Sequence, residues 1–419
     1  MFRLYIDPGT GSMLFSFLMG IAAVGYFLFR TALVKAKLFF SVGRTSAASQ
    51  TRHKFVVYNE GNQYWNVFKP ILDEFERRGI AVRYLTSAEN DPFFAQNYAR
   101  ISGEFIGVDN KAFARLNLLE ADVCLMTTPG LDVYQLKRSK GVRHYAHILH
   151  DVGDAVCYRL FGLDWFDSVL LSGEYQKADI RELERQRGIK AKELEVVGSA
   201  YLDVFQEKLA ALPKEEKRPF TVLVSPSWGK GSLLNVFGER LLDPLIATGW
   251  RVIVRPHPQS KKSEPKMLKR LEERYKDAVE WDYSPENLET LSKSDAMLSD
   301  FSSVIFDFAF LFDRPVIYAD AFFNRAMYDA GDIEHELWRF EAVRSFGVEL
   351  KEAELPRIKK IVEEAVADEK KSSARKTAKE TAWRHIGECG ARVVDFLTRV
   401  GESETPVVSN ASYLHENQK

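Results

Sequence analysis

"AMLSDFSSVIFDFAFLF", residues 296–312, decides the fold. Ala296-Met297-Leu298 reads as the end of a buried strand. Val304-Ile305-Phe306, continued by Phe308, Ala309 and Leu311, opens an apolar helical pattern. Between them stand Ser299, Asp300, Ser302 and Ser303. The segment is therefore a strand feeding a helix through a turn of small polar residues. A helix start carries free backbone N–H groups and a partial positive charge. Serines placed there act as caps or grip a phosphate; two in succession favour the second use.

Working outward, the same alternation recurs. Thr221–Val224, Arg251–Val254, Ala278–Glu280 and Val316–Tyr318 read as further strands, with helical stretches at 233–247, 266–275 and 303–312. An earlier series runs through Phe55–Tyr58, Ala81–Leu85, Val123–Met126, Arg143–Leu149, Ser168–Leu171 and Glu195–Val197, with a helix over 67–78. Strands alternating with helices imply parallel sheets. The apolar-free PKEEKRP, residues 213–219, reads as the joint between the two halves. The predicted parts are an N-terminal apolar segment with a basic flank (1–53), a first α/β domain (54–212) and a second α/β domain (213–345). C-terminal helices (346–400) and a flexible tail (401–419) follow. Ligands favour the carboxyl ends of such sheets, so the cleft between the halves is the expected site.

Three loops at carboxyl ends of the second series hold the chemistry. Ser225-Pro226-Ser227-Trp228-Gly229-Lys230-Gly231-Ser232 follows the first strand, and Arg255-Pro256-His257-Pro258 follows the next. The third is the opening turn, with Asp300, Ser302 and Ser303. Together they supply cations, an imidazole, hydroxyls and flexible glycines, a cradle for a diphosphate. Singly, each has a plainer use: Pro-His-Pro as a stiff turn, the serines as caps. In the first half, "VRHYAHILHDVGD" spaces His144, His147 and His150 by threes. On a strand, His147 and His150 point to opposite sides, which argues against a shared metal. His150, at the strand's end, is the candidate general base, with Asp151 or Asp154 to hold its tautomer. Its plainer reading is a satisfied loop histidine.

With a net charge of −1, nothing global points to nucleic acid. Cys124, Cys157 and Cys389 are too scattered for a disulfide frame or a zinc knuckle. Met13–Phe29 carries no charge over 17 residues, the lower limit for a membrane-spanning helix. Arg30, Lys35, Lys37, Arg44, Arg52 and Lys54 follow it with no acid before Glu60. That asymmetry predicts a single-pass plasma-membrane protein with its main part cytoplasmic, resting on anionic lipid.

"VGSAYLDVF" (197–205), "VLVSPSW" (222–228), "VRPHP" (254–258) and "SDFSSVIFDFAFLFDRPVIY" (299–318) together resemble the CDP-glycerol glycerophosphotransferase family. These are the membrane-associated primases and polymerases of wall teichoic acid and related polymers. The resemblance spans roughly residues 143–340. It implies a GT-B fold of two Rossmann-like domains, the first (54–212) for the acceptor and the second (213–345) for the nucleotide, and transfer of glycerol phosphate, or a similar alcohol phosphate, from a CDP-alcohol such as CDP-glycerol to a membrane-bound glycan or lipid, with CMP released. No cofactor is expected, and this picture needs no metal because Arg255, Lys230 and the helix end could do its job. Ser302 and Ser303 would bind the donor phosphates, braced by Asp300. Arg255 and His257 would neutralise the diphosphate, and Ser227 and Lys230 would complete the cradle. His150 stands where the family has a catalytic histidine, but His150-Asp151-Val152-Gly153 replaces that family's His-Gly-Thr-Pro. The alternatives are a GT-B glycosyltransferase or a UDP-sugar 2-epimerase relative acting on a nucleotide sugar, and a non-enzymatic tethered scaffold.

Overall fold

The computed structural model describes residues 52–212, 218–319 and 323–403, with part of 17–30. The predicted linker at 213–219 and the tail at 401–419 lie largely outside the described residues, as does most of the apolar run at 13–29. No helix among the described residues is long and apolar enough to cross a membrane.

The first sheet comprises β1 (His53–Asn59), β2 (Val82–Thr86), β3 (Ile101–Phe105), β4 (Ala121–Met126), β5 (Val142–Ile148), β6 (Ser168–Leu171) and β7 (Glu193–Val196). They lie in the order β3-β2-β1-β4-β5-β6-β7, and every pairing is parallel. α1 (Trp65–Arg77), α2 (Asp109–Leu116), α3 (Gln176–Arg187) and α4 (Ala200–Ala211) flank it. The second sheet, β8 (Thr221–Val224), β9 (Arg251–Val254), β10 (Glu280–Trp281), β11 (Ala296–Ser299), β12 (Val316–Ala319) and β13 (Val348–Leu350), runs β10-β9-β8-β11-β12-β13. It too is parallel throughout. Its flanking helices include α5 (Glu239–Ile246), α6 (Pro265–Tyr275), α7 (Val304–Phe312) and α8 (Trp338–Phe346).

β8 and β11 are fully buried, as central parallel strands must be when helices cover both faces. In each sheet the strand order reverses once, between β1 and β4 and between β8 and β11. The loops leaving those strands diverge there and open a crevice.

α7 is apolar on nearly every side because it is covered on every side. Phe306, Phe308 and Phe310 are buried in one cluster with Phe346 and Trp383. The chain closes with α9 (Ile358–Ala367), α10 (Glu369–Ala382) and α11 (Cys389–Glu402). α9 and α10 stay with the second half, where Arg375 of α10 pairs with Asp313 at the end of α7 at 2.7 Å. α11 crosses back. Its Cys389, Val393, Phe396 and Leu397 share a core with Phe68, Ile71 and Phe75 of α1. Asp203 of α4 pins the crossover, accepting from Trp383 Nε1 at 2.8 Å and Gly387 N at 2.9 Å. A Cβ at Gly390 would strike the Pro70 carbonyl, so the approach of α11 to α1 needs glycine there.

Candidate active site

A cleft of about 930 Å³ separates the carboxyl ends of the two sheets. From the second domain, Ser227, Arg255, His257, Ser302 and Ser303 line it; His150 and Asp151 face it from the first.

Asp300 builds the second-domain wall of the cleft. Its carboxylate is 3% exposed. It accepts from Ser227 N at 2.9 Å, Leu233 N at 2.8 Å and Ser302 N at 3.2 Å. One side chain thus locks the loop after β8 to the turn after β11. Burial pushes Asp300 above the ordinary carboxylate range, against the pull of those N–H groups. Its role is bracing. Ser303 occupies the N-cap of α7 but makes no capping bond with its side chain. Its Oγ instead meets Arg339 Nη2 at 3.4 Å. The capping explanation for these hydroxyls therefore fails at Ser303, which lies in the cleft beside Ser302.

His257 accepts a hydrogen bond at Nδ1 from Gln259 N, 3.1 Å away. Burial shifts the ring below the usual histidine value. A neutral ring with Nδ1 engaged in this way carries its proton on Nε2, making it a donor. Arg255 lines the cleft while held at 2.5 Å by Asp282 and donating to the Ser284 carbonyl at 2.7 Å. Asp282 is held down to about 2, although burial opposes this, by hydrogen bonds from Thr290, Ser284 and Arg255. Arg255 thus contributes positive charge from a fixed mount. Lys230 is exposed on its loop and does not line the cleft.

The three histidines part company. β5 ends at Ile148, so His144 and His147 leave opposite faces and His150 stands beyond the strand. His144 Nε2 lies 2.9 Å from Ser168 Oγ under α11. His147 is 0% exposed, and burial drives it down to about 3. Its Nε2 lies 3.2 Å from the Tyr158 hydroxyl, which also lies 3.2 Å from His150 Nδ1. Thr127 Oγ1 is 3.3 Å from that same Nδ1. The expectation that Asp151 or Asp154 holds the His150 ring is thereby corrected. Hydroxyls contact it, while Asp151 accepts from Gly153 N at 2.9 Å and Asp154 serves Arg339. Among the described residues no group of three or more His, Cys, Asp or Glu side chains is placed to hold a metal ion.

Arg339 escaped the sequence reading. It projects from α8, 7% exposed, and its Nε binds Asp154 Oδ2 at 2.8 Å. Nη1 donates to the Phe301 carbonyl at 3.2 Å. A single guanidinium thus joins the His150 loop to the Ser302-Ser303 turn across the cleft floor. Gly153 makes room for it, since a Cβ there would collide with Arg339 Nη2. The sequence signal was slight: a lone arginine between Trp338 and Phe340, in a stretch to which the pattern assigns no element.

Asp307 of α7 is a second buried acid, raised to about 7 chiefly by burial and further by Asp151. Tyr201 donates to it at 3.1 Å. A carboxyl whose folded value lies above its unfolded one binds more protons when folded, so its ionisation costs stability as pH rises through about 7. Asp307→Asn is therefore expected to gain thermal stability relative to wild type near pH 8 and to lose that advantage as pH falls to about 4, where the carboxyl is protonated in the unfolded chain as well. Melting curves at the two values check this; an equal offset at both would contradict the assignment.

Residues 234–330 match the family described as CDP-Glycerol:Poly(glycerophosphate) glycerophosphotransferase. Two structures of the wall teichoic acid polymerase TagF are similar in fold. One shares 12% identity, with 93% of this chain and 98% of that one covered at a TM-score of 0.53. The other gives 12%, 92% and 98% at 0.56. A UDP-GlcNAc 2-epimerase from Methanocaldococcus jannaschii, 14% identical, covers 83% of this chain and 99% of its own at 0.52. No curated protein sequence matches. At such identities the neighbours speak to the two-domain GT-B-like fold, while the family match speaks to the second domain's loops. The stretch that matches the CDP-glycerol glycerophosphotransferase family, residues 234–330, holds both the Pro-His-Pro and the Asp-Phe-Ser-Ser turns.

Proposed function

We propose that the protein transfers glycerol phosphate, or a closely similar alcohol phosphate, from a CDP-alcohol to a hydroxyl of a glycan or lipid acceptor. The observation that carries this reading is the pairing across one cleft of a hydroxyl-bearing helix start with His150. The acceptor oxygen attacks the β-phosphorus of CDP-glycerol. The bond from that phosphorus to the bridging oxygen breaks, CMP departs with the bridging oxygen, and a phosphodiester forms. The acceptor's proton passes to His150 Nε2. This uses the tautomer in which His150 Nδ1–H donates to Tyr158 or Thr127, with Tyr158 donating onward to His147, whose burial keeps it neutral. His257 donates from Nε2 to the departing phosphate. Arg255 and the α7 N-terminus supply fixed positive potential there. Such a transfer relies on orientation and charge more than on covalent participation by the protein.

Replacing Ser302 and Ser303 together by alanine is expected to weaken CDP-glycerol binding about tenfold or more, because a hydrogen bond to a charged group is worth roughly 1.5–3 kcal/mol. Calorimetric titration measures this, and an unchanged affinity would reduce both serines to turn formers. Incubating the protein with CDP-glycerol, CDP-ribitol and UDP-GlcNAc tests the reaction class. Release of CMP from a CDP-alcohol is expected; release of UDP instead would favour the nucleotide-sugar alternative. The basic stretch from Arg30 to Lys54 beside the run at 13–29 supports attachment of the enzyme to the membrane holding its acceptor. Recovery of the full chain in a high-salt supernatant rather than with sedimented membranes would count against that attachment.

A further inference from the structure

A second cavity, of about 680 Å³, adjoins the cleft on the side of the first domain. His150 and Asp151 line both spaces, so the imidazole stands at the passage between them. Tyr64, Phe113, Tyr134 and Tyr158 form aromatic walls, Tyr134 being 63% exposed at the rim. Thr128, 6% exposed, also lines it, and its buried Oγ1 has no hydrogen-bond partner among the described residues. The ionisable lining is mostly acidic. Asp154 is matched by Arg339, which leaves Glu60 and Asp151 facing one guanidinium, Arg159.

We infer that this cavity seats a neutral sugar ring of the acceptor, so that the protein adds one glycerol phosphate to a saccharide and does not extend a glycerol-phosphate chain. The inference rests on the transferase reading above. A pyranose presents an apolar C–H face to an aromatic wall and a rim of hydroxyls to a few polar groups, which is the chemistry of this lining. Thr128 Oγ1 supplies a polar group that a sugar hydroxyl would satisfy. A growing glycerol-phosphate chain would instead bring one negative charge per unit into a space where carboxylates outnumber cations. The product of one transfer carries a new phosphodiester, which the same lining repels, and transfer stops there.

The full chain is titrated with short aryl glycosides of glucose, galactose and N-acetylglucosamine, and with a glycerol-phosphate trimer on the same aglycone. Two readouts are used. The first is tryptophan fluorescence without donor, since Trp228 borders both spaces. The second is acceptor-dependent CMP release, with the product's mass. At least one glycoside is expected to bind and to gain a single glycerol phosphate. Tyr134→Ala is expected to raise the KM for that glycoside about tenfold with kcat and donor affinity preserved. Preference for the trimer, repeated addition, an unaltered KM in Tyr134→Ala, or binding of none of the glycosides would each overturn the inference. Failure of CDP-glycerol to bind would sink the transferase reading alone; glycoside binding without donor, weakened by Tyr134→Ala, would still uphold the sugar subsite.

Discussion

Substituting His150 by alanine is expected to lower transfer by about 10²–10⁴-fold, the usual share of a general base, while CDP-glycerol binds as it does to wild type. The separation follows from the architecture. The donor wall belongs to loops after β8, β9 and β11, braced by Asp300, and none of its hydrogen bonds involves His150. Among the described residues the imidazole meets Thr127, Tyr158 and the Tyr64 ring, whose centroid is 5.1 Å away. Tyr158→Phe should slow transfer less, because Thr127 Oγ1 remains within 3.3 Å of Nδ1 to hold the ring. His144→Ala should cost stability and little else, since that ring lies under α11 away from the cleft. Single-turnover rates alongside donor titrations distinguish these outcomes. A His150→Ala protein that loses donor affinity in proportion to its rate would make the histidine a binding residue and remove the base.

The second large effect is expected at Arg339. The side chains of Arg339 and Asp154 are 8% and 0% exposed. Removing one partner of such a buried pair typically costs about 3–5 kcal/mol, because the other charge is left without a counterion in a medium that solvates it poorly. Arg339→Met should therefore lower the unfolding midpoint steeply. It should also weaken donor binding, since Ser303 Oγ and the Phe301 carbonyl lose the donor that fixes their turn. The double variant Asp154→Leu with Arg339→Met separates the two consequences. Burial of an apolar pair is often neutral or stabilising relative to the ion pair, so stability should recover while donor affinity does not. Recovery of both would reduce Arg339 to a structural link between domains.

The fold was readable because its strands are short, apolar and bounded by turns. Thr221–Val224, Arg251–Val254 and Ser168–Leu171 occupy the ranges the pattern gives. Edge strands were harder. β3 reads ISGEF, with a glycine and an acid where a central strand would be apolar, and β13 is only three residues. The stretch 233–247, read as one helix, breaks at Gly238, whose φ of +46° no helix tolerates. Within the site, each loop sits at a strand's carboxyl end, so Ser302, Ser303, His257 and His150 could be placed from order alone. What order could not give was side-chain pairing across the chain. Asp154 meets Arg339 from 185 residues away, and Tyr201 meets Asp307 from 106. Nor could order show that Lys230 turns away from the cleft, because a loop's direction depends on how Asp300 pins it.

The central claim is that a phosphorus–oxygen bond inside the donor's diphosphate is the one that breaks. Following ³¹P resonances during turnover of CDP-glycerol with an acceptor glycoside tests it directly. The account predicts that the paired diphosphate signals give way to equal amounts of CMP monoester and a new phosphodiester. Accumulation of CDP, with the glycerol carbon–oxygen bond cleaved and no phosphodiester formed, would contradict it.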